Sequence, residues 1–290
     1  MSLLHRCHTL VIFTLATTAA VIAAPASAQQ STSADTGAVA IAGAFDVRNA
    51  YMFRGIRQDD TGVITWPAVE VALRLHSADH GLTNVRVHVG TFNSLHSGWT
   101  GSDGLSGKRW YESDVYTTLA LGFGNGLTVG TTYTAYRSPN KMFTTVKEIS
   151  VKANVDSAAR GRTSFKPYGL VAFELDTKPG IGQLDGGLHA VKYLELGIAP
   201  TYGATRLNIS VPVKLGLSVG NYYELAGKDR KFGYASFAGI VTMPLSGIAS
   251  SNGWNVHGGV EYEVLGDMTK AINEGDGSKV IGSVGVGFSY

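Results

Sequence analysis

Arg206-Leu207-Asn208-Ile209-Ser210-Val211-Pro212-Val213-Lys214-Leu215-Gly216-Leu217-Ser218-Val219 is the stretch that decides the fold. Leu207, Ile209, Val211, Val213, Leu215, Leu217 and Val219 take alternate positions, with Arg206, Asn208, Ser210, Lys214 and Ser218 between them. A period of two is the mark of a strand with two unlike faces, and no helix sorts residues this way. Trp254 to Leu265 repeats the pattern: Trp254, Val256, Val260, Tyr262 and Val264 oppose Asn255, His257, Glu261 and Glu263. The chain closes on it again, with Val280, Val284, Val286, Phe288 and Tyr290 against Ser283, Gly285, Gly287 and Ser289.

Outward from these three, similar segments cover 39–54, 63–76, 83–93, 108–123, 127–137, 142–155, 163–176, 188–200, 206–219, 232–245, 253–265 and 279–290. Globular strands average about five or six residues, whereas a tilted strand needs about 9–11 to cross a bilayer. Most of these segments reach the longer length. Alternation alone would also suit a soluble sandwich or a lipocalin-like barrel, so the connections matter. Odd connections such as 94–107, 177–187, 220–231 and 266–278 are long, with 138–141 the exception. Even ones such as Gly124-Asn125-Gly126 and 201–205 are short, which is the outer-membrane pattern. Tyr51, Phe53, Tyr111, Tyr133 and Phe143 fall at the long-loop end and Phe123, Phe165, Phe288 and Tyr290 at the other, as two aromatic girdles would. The expectation is an all-β protein, a transmembrane antiparallel up-and-down barrel of about twelve strands.

Composition agrees. Of 290 residues, 16% are charged, against roughly 25% in an average soluble domain, and glycine is abundant at 37. A net charge of +2 without a Lys/Arg block removes the footprint of a nucleic-acid binder. Residues 1–28 carry a basic head with Arg6, an apolar run from Leu10 to Ala24 and Ala26-Ser27-Ala28, the layout of a cleaved secretory signal peptide. Residues 29–38 would follow as a short periplasmic segment, and 39–290 as the barrel in the cell outer membrane. The single cysteine, Cys7, lies in the head, so disulfides and thiolate chemistry are excluded from the mature chain.

If the apolar face meets lipid, the other lines a lumen. Its candidates are Asp46, Arg48, Arg54, Glu70, Arg74, Arg86, Glu112, Asp114, Lys152 and Glu261, joined by Glu148, Glu174, Glu195, Lys214 and Glu263. Such charges persist only when paired or hydrated, so they either brace the wall or line a water-filled path for small polar solutes. No cofactor motif stands out. His76 and His80 straddle a strand end, where residues four apart do not share a face, and no metal is expected. Asn273-Glu274-Gly275-Asp276-Gly277 has carboxylates without the calcium-loop pattern and reads as an exposed loop.

Two other functions compete with a passive or weakly selective channel. One is a lipid-modifying hydrolase, for which Leu95-His96-Ser97-Gly98 offers a histidine and a serine in what reads as a long, solvated loop. The other is a closed barrel with a structural or surface-binding role. Tyr51-Met52-Phe53-Arg54-Gly55-Ile56-Arg57-Gln58-Asp59-Asp60 resembles the Y-x-x-R-G-x-x-Q-x-D stretch of the TorF-like porin family of proteobacterial outer membranes. The resemblance extends through the alternating strands to Phe288-Ser289-Tyr290, which is similar to the terminal strand signal of such barrels, with Tyr where Phe is the norm. It implies a barrel and suggests a pore. The expected partners are outer-membrane lipids and lipopolysaccharide, the barrel-assembly machinery through the C-terminal strand, and small polar solutes.

Overall fold

In the computed structural model the described residues are 37–98, 100, 109–156, 162–175, 191–204, 206–245 and 253–290. They form a closed antiparallel barrel of 12 strands. The wall runs through Val39–Arg48, Ile64–Ser77, Leu82–His96, Trp110–Phe123, Leu127–Tyr136, Val146–Val155, Tyr168–Glu174, Lys192–Ile198, Val213–Gly220, Phe232–Pro244, Trp254–Leu265 and Ser278–Ser289. The last strand closes on the first in a register from Ala42 opposite Ser289 to Arg48 opposite Ser283. Each of these twelve strands is thus paired on both sides among the described residues, as a membrane interior demands.

The stretch 206–219 keeps its parity but not its continuity. Ile209, Val211 and Val219 face outward and are exposed, while Asn208, Ser210, Lys214 and Ser218 are buried inside. Its strand is broken at Pro212 into Asn208–Ser210 and Val213–Gly220. The two preceding strands break similarly. Thr163–Ser164 and Tyr168–Glu174 flank Pro167, and Lys192–Ile198 and Thr201–Gly203 flank Pro200. Proline has no N–H to give the ladder, yet its carbonyl still accepts. Val155 N–H reaches Pro167 O at 3.0 Å, Val211 N–H reaches Pro200 O at 2.9 Å, and Ala238 N–H reaches Pro212 O at 2.9 Å. Neighbouring strands thus stay in register across the breaks.

On the rim that carries both chain ends, the turns 78–81 and 124–126 are tight. Gly126 sits at φ +82°, where a Cβ would meet Asp156 O at 2.6 Å, so the Asn125-Gly126 turn requires glycine. The opposite rim carries the longer connections and differs from the expectation in three places. The first expected strand, 39–54, leaves the wall at Arg48, and Tyr51–Phe53 pairs with Ile56–Asp59 as a hairpin lodged in the lumen. The connection expected at 138–141 runs over 137–145. The loop after the eleventh strand holds a short helix, Asp267–Ile272.

Polarity is inverted relative to a soluble protein. Val69, Val71, Leu73, Val89, Leu119, Phe237, Val260 and Val284 are among the large apolar side chains exposed on the outer face. Each would stabilise the fold by about 1.5–3 kcal/mol if removed from water. An apolar belt this broad is stable only when lipid covers it.

Candidate functional site: a plugged lumen

The inner hairpin turns on two residues, Arg54 at φ 51° and Gly55 at φ 78°. Both lie in the left-handed region, the requirement of the tight turn that suits the twist of paired strands. Arginine is uncommon there, so the turn holds Arg54 in an unfavoured conformation at the hairpin's tip. From it Arg54 Nη1 donates to Glu148 Oε2 at 2.8 Å and Nη2 donates to Glu148 Oε1 at 2.9 Å. Nη1 also donates to Tyr222 Oη at 3.0 Å. The guanidinium carbon lies 4.1 Å from the ring centre of Tyr193 and 4.9 Å from that of Phe53. Arg54 is only 2% exposed. Tyr223 closes the group by donating to Arg54 O at 2.9 Å.

A second latch lies at the hairpin's other end. Trp66 Nε1 donates to Ser94 Oγ at 3.0 Å, and Ser94 Oγ lies 2.7 Å from His96 Nε2. His96 Nδ1 faces Asp59 Oδ2 at 2.7 Å, and Asp59 Oδ1 accepts from Thr61 N at 2.9 Å and Thr61 Oγ1 at 2.7 Å. The Asp59 carboxylate can only accept, so His96 Nδ1 carries a proton and donates it to Asp59. Burial pushes the Asp59 carboxyl up, but its bonds from His96 and Thr61 outweigh that and hold it below its ordinary value. His96 stacks on Tyr111, ring centres 4.5 Å apart. His96 is therefore the buried last residue of its strand, where a solvated loop residue was expected, because the strand Leu82–His96 runs beyond residue 93. Ser97, the serine singled out with it, instead accepts from Val63 N at 2.7 Å.

The outer loops clamp the hairpin from above. Asn273 Nδ2 donates to Gly55 O at 2.8 Å, and its Oδ1 accepts from Arg57 N at 2.8 Å. Arg57 meets Glu274 at 2.6 Å and Asp276 at 3.4 Å, so the carboxylates of 273–277 serve the clamp. Lys279 Nζ holds Asp60 Oδ2 at 2.5 Å, and this bond sets the Asp60 carboxyl below its usual range.

Of the lumen candidates, Asp46, Arg48, Arg54, Glu70, Glu112, Asp114 and Glu261 are buried, while Arg74, Arg86 and Lys152 are half-buried nearer the rim with the tight turns. Glu261 joins Lys214 at 2.7 Å and Arg48 at 3.5 Å. Asp46 meets His257 at 2.8 Å, and Glu70 meets His88 at 2.8 Å and accepts from Tyr116 at 3.0 Å. Glu112 accepts from Tyr51 at 2.5 Å. Arg74 and Arg86 face one another across two strands, and the Lys152 ammonium lies over Tyr168 at 4.4 Å. Glu195 accepts from three phenols, Tyr168 at 2.7 Å, Tyr193 at 2.6 Å and Tyr234 at 2.9 Å. No group of three or more metal-ligating side chains occurs among the described residues.

Sequence reasoning missed Asp59, Ser94 and the inner tyrosines. Ser94, Tyr193 and Tyr234 stand at inward parity and were legible in principle, whereas Tyr222 and Tyr223 lie in a loop with no periodic signal. Tyr51, Phe53 and Tyr111 form no girdle. Tyr51 and Phe53 go inward with the hairpin, and Tyr111 turns in where the pairing slips between Ser94 and Leu95.

No protein-family model and no curated protein sequence matches the chain. Among solved structures, it is similar to an outer membrane channel from Pseudomonas putida F1, at 7% identity and a TM-score of 0.50 over 87% of this chain and 96% of that one. NanC porin aligns at 13% identity and a TM-score of 0.45 over 87% and 99%. The beta domain of the Bordetella autotransporter BrkA aligns at 14% identity and 0.42 over 88% and 99%. At such identities the likeness is one of fold, and the fold is that of an outer-membrane barrel.

Proposed function

We propose that this chain is a porin-like channel of the outer membrane for small polar solutes, closed in this conformation by the hairpin of residues 51–59. The inverted polarity of the barrel carries the reading: an apolar exterior and a charged, hydrogen-bonded interior suit a wall between lipid and water. The signal-peptide pattern of residues 1–28 supports export, and the apolar final strand supports recognition by the barrel-assembly machinery. Both residue ranges 1–28 and 29–36 lie outside the described residues. The Arg54-centred stretch supports kinship with TorF-like porins.

Single-channel recording of the refolded protein in a planar bilayer tests it. Brief, infrequent steps are expected from the intact chain and lasting ones after residues 51–59 are replaced by a short Gly/Ser link. Silence from both folded barrels overturns the channel. A second reading, an acyl hydrolase, is favoured by one observation, the Ser94–His96–Asp59 order of hydrogen bonds. Ser94 is wholly buried, accepts from Trp66 and depends for its third partner on Asp59 of the hairpin itself, so the site would work only if the hairpin shifts to admit a substrate while Asp59 stays on His96. Labelling by a fluorophosphonate that vanishes in Ser94→Ala would support it, and no labelling of the intact folded chain would remove it.

A further inference from the structure

We propose that Glu148, Tyr136 and Tyr193 of the wall, with Tyr222 of an outer loop, form a binding site for the guanidinium group of a small organic cation. Arg54 fills that site as a tethered ligand while the hairpin is inside the lumen. The inference deepens the channel reading by naming a solute class, and it rests on that reading only for how the solute arrives.

The site divides cleanly between fixed and removable parts. Glu148, Tyr136 and Tyr193 are held by the strand ladders, with Tyr136 opposite Val146 and Glu148 opposite Thr134 and Glu174. Tyr136 Oη donates to Glu148 Oε1 at 3.2 Å, which orients the carboxylate with or without the hairpin. Arg54 and Phe53 are the removable part. A flat fork of N–H donors matched to two carboxylate oxygens, lying over a phenol ring, is the arrangement a guanidinium makes and a compact ammonium cannot.

Withdrawal of Arg54 would leave Glu148 without its cationic partner. The other buried Lys and Arg among the described residues, Arg48 and Lys214, are both engaged with Glu261. A carboxylate that has lost its partner must be hydrated or take another cation, and the Tyr136 bond that orients it and the Tyr193 ring beside it favour a flat cation in Arg54's place. The interior favours its arrival, because eleven buried carboxylates stand against those three cations among the described residues.

Arg54 is also an imperfect occupant. Its Nε–H is buried without an acceptor, and its backbone lies in the left-handed region. A free guanidinium compound carries neither handicap, so it can compete with the tethered side chain.

Chemical rescue provides the test. Full-length Arg54→Ala is refolded, and its thermal unfolding midpoint is read by loss of the fast-migrating folded band. The midpoint is expected to fall and to recover in millimolar methylguanidinium at constant ionic strength. Methylammonium should need a concentration roughly tenfold higher. In Arg54→Ala/Glu148→Gln the rescue should disappear. No recovery, equal recovery with methylammonium, or recovery that survives Glu148→Gln overturns the site. If Arg54→Ala does not refold, the intact protein is titrated instead. Methylguanidinium should then speed proteinase K cleavage within 49–63, and an unchanged rate overturns the proposal. Binding by a barrel that is silent in bilayers would leave the site standing and remove the channel reading.

Discussion

The two ends of one lumen are built differently. Toward the rim with the long loops, the inner face carries Trp66, Tyr136 and Tyr193, joined by Tyr222 and Tyr223 of an outer loop, and they pack on the hairpin. Toward the rim with the chain ends, the inner face carries the small residues Thr118, Gly130, Thr132, Ser150, Gly285 and Gly287 between the longer Arg74, Arg86 and Lys152, and no hairpin enters there among the described residues. There the hydrogen bonds stay within the wall, as between Thr118 and Thr132 at 2.7 Å. A barrel of eight strands can be filled by its own side chains, and one of sixteen leaves a channel. Twelve strands leave space that ordinary side chains fill only where extra chain enters. The seal is therefore a separate piece inserted at one end, and a separate piece can leave.

The largest effect on this contrast should come from Glu148→Ala. It strands the Arg54 guanidinium in a buried place, which costs about 3–5 kcal/mol. The plugged end should loosen, seen as faster proteolysis within 49–63 and longer conducting steps. Asp59→Asn comes next, since its single amide oxygen cannot serve both His96 and Thr61 and its NH2 cannot accept, which weakens the second latch by about 1–3 kcal/mol. The same protease assay reads it, and a rate equal to that of the intact protein would show that the relay does not hold the hairpin. At the other end, Thr132→Val should shift the unfolding midpoint least, through one wall hydrogen bond of about 0.5–1.5 kcal/mol. If its effect matches that of Glu148→Ala, the two ends are not mechanically distinct.

Acid should distinguish the ends as well. Lys279 and Arg57 hold the Asp60 carboxyl below its usual value, so its contacts add stability above the unfolded value of about 4. That contribution is lost as pH falls through the lowered folded-state value. Asp59 is held low too, and its latch weakens in the same direction. Conductance measured downward from neutral pH should stay constant and then rise below about pH 4. Lys279→Met should move the rise to higher pH, by releasing the depressed Asp60.

The inward side of the wall was legible because parity is a local property. A residue at every second position shares a face, and Lys214 between Val213 and Leu215 needs only its own strand to point inside. The prolines marked interruptions that parity conceals, and Pro212 lay in the very stretch that declared the strand. His96 was misplaced for the opposite reason: its strand outruns its apolar pattern, because Asn93 interrupts the outward apolar run while the strand continues to His96.

Composition, export pattern and periodicity thus determined from the sequence a closed β-barrel with apolar outer and charged inner faces. Only the tertiary structure decided that Tyr51 to Asp59 leaves the wall. Tyr51 and Phe53 alternate as a strand should, and nothing local separates them from the wall. What turns them inward is Glu148, 94 residues away from Arg54, and Tyr222, 168 residues away. A buried carboxylate that needs a cation, and a lumen wider than its wall side chains can fill, are properties of the assembled barrel. They come into being only when distant strands have closed upon one another.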